Sequence, residues 1–542
     1  DQFIYNPDQP DGLPSADIHV LYEDRSHRVW VGGRNTASVY DPTTKTFQSY
    51  TIGRPTAASS ITLENPTLLE DSHGTLWLSG GLSSGLHRFN EQTQQFETVE
   101  SDPSNEFALG DDQITALYED RSGILWIGTN SIGVAKLDLN DSGFSLYQHI
   151  PGSTNSLSTS YIYSIYQDRS GIIWIGGDDG VLNRFDRTQN LITHYVPDEA
   201  NPQALMSSYS VSALLEDNQN TFWVGTYGGG LHIMDRETET FERFRADGLP
   251  GSLASDNILY LFEDSHQNIW AGTAYPSALQ RFDRDTRTFV NVDLPSDSLV
   301  FTGEGIRIIY EDTDGILWLG GWSDGLFRYD PQNASLTGYQ HSDNDPESLS
   351  NNSVYSIGQA SNGDLWIGTA NGLNKLERDT DRFTVYTKQN GLPDSTIYGL
   401  LPDSNNQLWL TSNRGLARFD LASATITAYT DLQHVQGMEF NQTAYFESAS
   451  GEMFFGGTNG VNAFDPQSVR VNPYVPPVVI TSLTVFNEPV PISGDGILRE
   501  NIITADHITL QYTDSVFSFE FASLAYANPS LNRYRYRLVG FD

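Results

Sequence analysis

The sequence predicts an all-β protein made of β-propeller blades followed by a partial Ig-like β-sandwich. Three observations predict this fold: an aromatic residue that returns every 43 to 49 residues, a hairpin pattern around each of those aromatics, and a change of pattern after Pro477. Repeats of about 40 to 50 residues that contain several short strands are typical of propellers, whereas helical solenoids show long stretches with a period of 3.6.

Each repeat is predicted to contain four strands, which we call a to d, and strand b carries the recurring aromatic. Leu117–Thr129 (LYEDRSGILWIGT) shows an apolar strand a, an Asp-Arg-Ser-Gly turn and a strand b that contains Trp126. Alternation bounded by a glycine-containing turn is the sequence form of a β-hairpin. Ten repeats follow, marked by Trp30, Trp77, Trp126, Trp174, Trp223, Trp270, Trp318, Trp366, Trp409 and Phe454.

An aspartate recurs in the turn between strands a and b, with Ala360 and Ser448 in its place in two repeats. A function performed once does not need many copies, whereas an aspartate that bonds to its own turn backbone does. We therefore predict a structural role for this column, and a core position for the recurring aromatic. The eight aspartates are Asp24, Asp71, Asp120, Asp168, Asp217, Asp264, Asp312 and Asp403.

Closure of the ring has two solutions on sequence grounds. Prolines at 473, 476 and 477 cannot donate to a strand ladder, so the tenth repeat needs an outer strand from upstream. Gly143–Ile150 could close a seven-bladed ring of repeats four to ten, with three blades of an earlier propeller before it. Alternatively, Asp1–Asn6 could close one ring of ten blades. The first solution gives domains at 1–150, 151–474 and 475–542.

The last domain is predicted to be an antiparallel β-sandwich, because its strands alternate without the Trp-Gly-Thr signature. The alternating stretches are Val478–Phe486, Ile508–Tyr512, Val516–Ala522 and Arg533–Leu538.

Composition excludes several classes of function. The 542 residues carry a net charge of −39, which repels phosphate backbones and excludes nucleic-acid binding. The chain has no cysteine, so it has no disulfide, thiolate metal site or cysteine nucleophile. The start at Asp1 without an apolar leader indicates a mature segment or a fragment.

The candidate binding site lies on one face of the propeller, where the loops between strands b and c meet those between strands d and a. These loops differ between repeats, and Trp322 is the single tryptophan outside the repeat register. Aromatic faces stack on sugars while planar polar groups bond to hydroxyls, so this face predicts a carbohydrate site. The alternative is that Trp322 packs against a neighbouring loop. The predicted ligand-binding residues are Asp178, Asp179, Tyr227, Tyr275, Trp322, Asp324, Asn371 and Arg414.

Two other classes of function stay open. A propeller lyase or hydrolase needs a general base or a metal on the loop face, where only His341 and His434 of the histidines fall. An acidic loop at 343–347 could hold Ca²⁺ weakly. No nucleophile motif or metal-ligand spacing appears, so we predict no catalytic residue, no metal and no cofactor. A protein-interaction propeller, the third class, predicts an apolar loop face instead.

The repeats resemble the two-component regulator propeller repeats, as seen in Glu119–Thr129 and in Gly372-Leu373 followed by Thr380–Tyr386. The tail, with Val478–Ile480 and Tyr534–Leu538, resembles the triple-tyrosine domain that follows such repeats. This resemblance implies the periplasmic sensor region of a hybrid histidine kinase or diguanylate cyclase of the inner membrane, attached to the membrane only through a missing downstream transmembrane helix. It also implies an oligosaccharide ligand, no catalysis in this region, and a homodimer formed through the sandwich. Family members have two seven-bladed propellers, whereas this chain shows ten repeats.

Overall fold

The computed structural model describes residues 2–6, 8–13, 15–33, 36–51, 67–79, 85–99, 109, 113–140, 143–292, 304–429, 435–470, 474–524 and 534–540. It has two compact parts, Ser142–Arg470 and the combination of Asp1–Asp141 with Val471–Asp542. Both consist of antiparallel sheets, so the predicted all-β propeller class is confirmed.

The N-terminal residues form two four-stranded sheets and one three-stranded sheet, one for each of the first three repeats. Their strands are β1 (Ile18–Glu23), β2 (Val29–Gly33), β3 (Thr36–Asp41), β4 (Thr46–Thr51), β5 (Thr67–Glu70), β6 (Leu76–Ser79), β7 (Leu86–Asn90), β8 (Gln95–Val99), β9 (Ile114–Glu119), β10 (Ile124–Thr129) and β11 (Val134–Asp138).

The part Ser142–Arg470 contains seven blades, which we number I to VII and which correspond to repeats four to ten. The first strands are β12 (Ser145–Tyr147), β13 (Ile162–Gln167), β14 (Ile173–Gly177), β15 (Leu182–Asp186), β16 (Leu191–Tyr195), β17 (Ser210–Glu216), β18 (Phe222–Tyr227), β19 (Gly230–Asp235), β20 (Thr240–Phe244), β21 (Asn257–Glu263), β22 (Ile269–Ala274), β23 (Ala278–Asp283) and β24 (Thr288–Asn291). Blade I is β13–β16, blade II β17–β20 and blade III β21–β24.

The remaining strands are β25 (Ile306–Glu311), β26 (Leu317–Gly321), β27 (Leu326–Asp330), β28 (Ser335–Tyr339), β29 (Val354–Gln359), β30 (Leu365–Thr369), β31 (Gly372–Glu377), β32 (Arg382–Tyr386), β33 (Gly399–Pro402), β34 (Gln407–Ser412), β35 (Gly415–Asp420), β36 (Thr425–Tyr429), β37 (Phe440–Glu447), β38 (Met453–Gly457) and β39 (Gly460–Phe464). Blade IV is β25–β28, blade V β29–β32, blade VI β33–β36 and blade VII β37–β39. A short 3-10 helix, Lys388–Asn390, precedes blade VI.

Blade VII receives its outer strand from the start of this part of the chain. Strand β12 pairs antiparallel with β39 and completes a four-stranded sheet of order β12, β39, β38, β37. Phe144, just before β12, is buried against Trp409, Tyr429 and Phe464. The ring therefore has seven blades and closes through the segment that the sequence proposed for it. The domain bounds 1–150, 151–474 and 475–542 stay predictions. The closing strand β12 lies within the first of these ranges but pairs with the last blade of the propeller.

The ten-bladed alternative required a strand at the N-terminus, and it is wrong. Residues 2–6 form no strand. Phe3 instead packs edge-on against Tyr40 and Phe47, at 5.1 and 5.4 Å between ring centroids. This ring contact with the first sheet takes the place of strand pairing.

The recurring aspartate joins its turn to the recurring tryptophan. In blade IV, Asp312 Oδ1 accepts hydrogen bonds from the backbone N–H groups of Asp314 and Ile316, as expected for an aspartate-capped turn. Its other oxygen, Oδ2, accepts a hydrogen bond of 2.8 Å from the indole nitrogen of Trp318. The same indole bond occurs in all eight aspartate-containing repeats. The predicted structural role of this column is confirmed.

A glycine two residues after the aromatic lets adjacent blades approach each other. A Cβ atom built on Gly320 would lie 2.7 Å from Val354 of the next blade, and one on Gly272 would lie 2.5 Å from the carbonyl oxygen of Ile306. Only glycine fits where two backbones approach this closely. The Trp-x-Gly pattern of strand b is therefore a packing requirement of the ring.

The C-terminal residues form a three-stranded sheet of order β41, β40, β42, with β40 at Val478–Val485, β41 at Glu488–Pro489 and β42 at Phe517–Ser523. Two strands predicted here from alternation do not form. Residues 508–512 have no strand, and neither do residues 534–538, while Arg533 lies outside the described residues. Alternation shows which side chains share a face, but a strand also needs a pairing partner, and the fully exposed Tyr512 has none of the burial that would fix one.

Among the described residues, no helix combines the length and the apolar character that crossing a membrane requires.

Candidate functional site

The loop face of the seven-bladed propeller carries all eight predicted ligand-binding residues, because each of them lies in or beside a loop between strands b and c. Blade I supplies Asp178 and Asp179, blade II Tyr227, blade III Tyr275, blade IV Trp322 and Asp324, blade V Asn371 and blade VI Arg414. The structure arranges the aromatic members in two local groups, one at blades II and III and one at blades IV to VI.

The first group surrounds Tyr227 at the end of β18. The ring of Tyr209 lies edge-on to it at 5.9 Å, and Tyr227 pairs with Asn257 at the start of blade III. Burial, together with the nearby hydroxyls of Tyr275 and Tyr209, raises the pKa of Tyr227. Tyr209 and Tyr275 are well exposed. Three tyrosines thus form an accessible aromatic surface at adjacent blades.

The second group is built around Arg307 on the inner strand β25. Its guanidinium carbon lies 3.6 Å from the ring centroid of Trp322 and 4.8 Å from that of Tyr355 on β29. The ring of Tyr355 in turn lies 5.2 Å from that of Tyr398, which precedes β33. Trp322 is 37% exposed, unlike the buried tryptophans of the propeller core. This group therefore presents a partly exposed indole ring with a guanidinium cation packed against it.

β-Bulges place these inner-strand side chains. Pairing of strand a with strand b skips one residue in each of blades I to V, and a bulge of this kind re-aims the side chain of the extra residue. The skipped residues are Tyr163, Ser212, Leu259, Arg307 and Tyr355.

Sequence reasoning missed Tyr163, Arg307, Tyr355 and Tyr398, because it looked for site residues only in loops. A usable signal was present, since Tyr163, Arg307 and Tyr355 each directly follow the first apolar residue of strand a. Tyr398 directly follows an apolar residue just before β33. The alternation of a strand does not reveal a bulge, so their position beside the loops became clear only from the paired register.

The polar residues predicted for the site have mixed roles. Asp178 is exposed and accepts a hydrogen bond of 2.8 Å from the hydroxyl of Thr159. Burial and the negative charge of Asp178 raise the pKa of Tyr163. Asp179 is also exposed, and its carboxylate accepts a hydrogen bond from the N–H of Val181 within the loop. Asp324, at 3% exposure, is buried. Blade I thus offers Asp178 to a ligand more openly than blade IV offers Asp324.

Asn371 and Arg414 are the two predicted residues of blades V and VI. Both are exposed, and the backbone N–H group of each bonds to the hydroxyl of the last residue of the preceding strand. Arg414 Nε lies 4.0 Å from Asp394, which also pairs with Lys388 at 2.8 Å. Their side chains are therefore accessible from the loop face.

The acidic loop and the histidine that an enzyme could use both pair with other residues of the chain. Arg382 pairs with Asp345 and Glu347 of the acidic loop, at 3.3 and 2.9 Å. His341 bonds to Asp343 and to the carbonyl oxygen of Leu349. Across the part of the chain that the structure describes, no three His, Asp or Glu side chains are grouped as a metal site would need. His434 lies outside the described residues.

Comparison with known families finds six matches to the two component regulator propeller, at residues 12–35, 108–131, 156–179, 205–228, 348–371 and 391–414. Each matched segment spans the hairpin of strands a and b of one repeat. The resemblance seen in the repeats is confirmed.

A curated relative is histidine kinase P4 of Formosa agariphila, which is 24% identical over 359 residues. The match covers 66% of this chain and 22% of that kinase. The matched part of the chain therefore spans about a fifth of the length of this relative.

Two solved structures from B. thetaiotaomicron are similar in fold. The extracellular domain of the hybrid two component system BT3049 has a TM-score of 0.70 and 22% identity, covering 94% of this chain and 64% of that one. The extracellular domain of the one component system BT4673 has a TM-score of 0.50 and 19% identity, covering 96% of this chain and 74% of that one. At this level of identity the likeness concerns the fold.

Proposed function

Since this chain is built from two-component regulator propeller repeats, we propose that it is the extracytoplasmic sensing region of a bacterial transmembrane signalling receptor. The relatives support this proposal, because they include a histidine kinase and the extracellular domains of signalling systems. The region itself binds a ligand and performs no chemistry on it. Its place is the periplasm, and the kinase or cyclase activity belongs to the remainder of the receptor.

We propose further that the ligand is an oligosaccharide bound on the loop face of the seven-bladed propeller. The observation that carries this proposal is Trp322, which is partly open to solvent and held in place by Arg307 at 3.6 Å. Sugars present flat C–H surfaces that stack on such rings, and their hydroxyls need planar polar partners nearby. Asn371 and Arg414 of the following two blades are exposed and supply such partners.

Binding changes the receptor only if the ligand has different affinities for two states of it. A coupling free energy of about 1 to 3 kcal/mol between two sites is typical of allosteric proteins. The propeller therefore needs only a modest difference in loop-face geometry between its states.

A thermal-shift screen of the chain against oligosaccharides tests the proposal. A ligand at about 100 times its dissociation constant adds roughly 2.7 kcal/mol to the free energy of unfolding, which raises the melting temperature. Trp322→Ala is expected to remove the shift for any sugar that gives one. Val290→Ala is the control, because this exposed side chain lies on the outer strand β24 of the same propeller. No shift with any oligosaccharide, or a shift that Trp322→Ala leaves intact, would contradict the proposed site.

A further inference from the structure

Arg307 differs from the other enclosed arginines of the propeller. Arg236, Arg284 and Arg378 each pair with a buried aspartate of the preceding blade, at 2.9 to 3.1 Å. Arg307 is more deeply buried, at 2% exposure, yet within the described residues no carboxylate lies within 4 Å of it. Its Nε and Nη1 atoms also have no hydrogen-bond partner among those residues. The structure therefore encloses a cation without a matching anion.

Aromatic rings enclose this cation on two sides. Trp322 and Tyr355 lie over the guanidinium at 3.6 and 4.8 Å, and each ring face attracts a positive charge. Burial lowers the pKa of Arg307 to about 10, so the side chain stays positively charged at neutral pH. Cation–π contacts replace only part of the hydration that burial removes. A negative charge that reaches this position is therefore favoured.

The fold does not require a charge at this position. The equivalent bulge residues of blades I, II, III and V are Tyr163, Ser212, Leu259 and Tyr355, all of them uncharged. Glu304, in the loop that leads into β25, favours the charged form of Arg307, but its carboxylate accepts a hydrogen bond of 2.7 Å from Ser323. A packing role alone is met by neutral side chains elsewhere in the ring. The positive charge points to a use beyond packing.

We propose that Arg307 selects a sugar that carries a carboxylate, so that the ligand is an acidic oligosaccharide containing a uronic acid. This inference rests on the proposed function of the loop face. Arg307 packs on Trp322 at 3.6 Å, so a sugar that contacts Trp322 lies close to the guanidinium, in surroundings that hold little water to screen the attraction. A carboxylate carries the full negative charge that such a cation attracts, whereas a neutral hydroxyl carries none. Because the chain has a net charge of −39 and repels anions, an anionic ligand needs a local positive charge at its binding site.

Calorimetry on the whole chain with matched ligands tests this selection. The probes are oligogalacturonates and oligoglucuronates, each compared with its own methyl ester, which differs in charge and keeps the sugar backbone. Neutral cello-oligosaccharides and their sulfate esters complete the panel. We expect at least one uronate to bind about tenfold or more tightly than its ester.

Variants separate charge from packing. Arg307→Met keeps an unbranched side chain between the two rings and removes the charge, so the acid-to-ester affinity ratio is expected to fall to near one while ester binding changes little. Arg307→Lys is expected to restore part of the ratio. Trp322→Ala is expected to weaken acid and ester together. Since an unpaired buried cation costs stability, Arg307→Met is expected to melt no lower than the unmodified chain, which also verifies its folding.

Each outcome bears on a different part of the account. Equal binding of acid and ester, a ratio that survives Arg307→Met, or preference for neutral sugars overturns the acidic ligand and leaves the sugar-binding propeller in place. Selective binding of the sulfate esters overturns the carboxylate. Failure of every oligosaccharide to bind overturns the proposed function and this inference with it.

Discussion

Ala360 stands in blade V where the other tryptophan-containing repeats have an aspartate, so the indole nitrogen of Trp366 lacks the acceptor that those repeats provide. In eight repeats an aspartate six residues before the tryptophan accepts the indole hydrogen bond, as Asp312 does from Trp318 at 2.8 Å. In blade V this residue is Ala360, and Trp366 Nε1 is buried without a partner among the described residues. Blade VII replaces both members, with Ser448 and Phe454, and Phe454 needs no acceptor.

The bond between Asp312 and Trp318 is expected to be a large contributor to stability. Asp312→Ala leaves the Trp318 indole, two turn N–H groups and Arg378 without their acceptor, and each unsatisfied buried group costs about 1 to 3 kcal/mol. We expect the free energy of unfolding to fall by about 3 kcal/mol or more in calorimetric melts. Asp343→Ala, at an exposed carboxylate, is the control and should change it by less than about 0.5 kcal/mol. Similar losses for both variants would contradict the assigned role.

The missing aspartate of blade V is accompanied by a missing arginine. Arg378 follows the third strand of blade V and pairs with Asp312 of blade IV at 3.1 Å, whereas the corresponding residue of blade VI is Leu421, which packs against the cluster that contains Ala360. We therefore expect Ala360→Asp to destabilise the chain alone, because Asp364 lies in the same turn. When Ala360→Asp is combined with Leu421→Arg, we expect the lost stability to be recovered.

A double-mutant cycle on melting free energies measures this coupling, expected to be about 1 to 3 kcal/mol in favour of the pair. Leu421→Arg alone completes the cycle. Additive effects of the two substitutions on the free energy of unfolding would show that positions 360 and 421 are not coupled.

Stability is expected to depend on His232 in acid. This buried side chain accepts a hydrogen bond at Nε2 from the N–H of Met206, and burial lowers the pKa of His232 to about 4. The unfolded chain takes up the proton near pH 6.5, so the contribution of the neutral ring is complete above pH 6.5 and is lost as the pH falls towards 4. At 1.36 kcal/mol per unit, the loss is about 3 kcal/mol.

His232→Gln removes this titration while keeping an acceptor. Gln280 occupies the same position in blade III and accepts the N–H of Ala254 at 2.8 Å, so the fold tolerates the amide. Melting temperatures between pH 7 and 4 should fall less for the variant than for the unmodified chain. Parallel curves would contradict the neutral, buried state of His232.

Closure by β12 predicts a difference between two shortened chains. Residues 142–470 include the pairing of β12 with β39 and the buried Phe144, whereas residues 151–470 lack both. Removing a buried phenylalanine alone costs about 3 to 5 kcal/mol. The longer chain is expected to unfold in one cooperative transition, and the shorter chain to melt at a clearly lower temperature. Equal melting temperatures would show that the ring does not depend on this strand.

The fold was largely predictable because its information is local and repeated. A hairpin pattern that recurs ten times reveals the blades, and Pro476 and Pro477 reveal that the last blade needs a strand from elsewhere. The hydrogen bond from the indole to the aspartate was not predictable from turn chemistry alone, because it joins the turn to a side chain of strand b. The strand expected at 508–512 does not form, because alternation does not specify a partner.

The candidate site was predictable only in part. Trp322 was recognisable because it breaks the repeat register, and the loops of the variable face follow from blade topology. Arg307 was not predicted, because its place against Trp322 depends on a bulge in β25 that the spacing of apolar residues does not show. Asp324 looked similar to Asp178 in sequence, yet the structure buries the first and exposes the second.

Intrinsic fluorescence tests the central claim, a sugar bound at Trp322, most directly. The other tryptophans of the seven-bladed propeller are buried in its core, so a ligand on its loop face should change the emission of Trp322 alone. A saturable change is expected with the dissociation constant that calorimetry gives for the same oligosaccharide. Trp322→Phe should keep binding in calorimetry, because an aromatic ring remains, and lose the fluorescence change. An emission change that survives this substitution would place the ligand elsewhere and contradict the account.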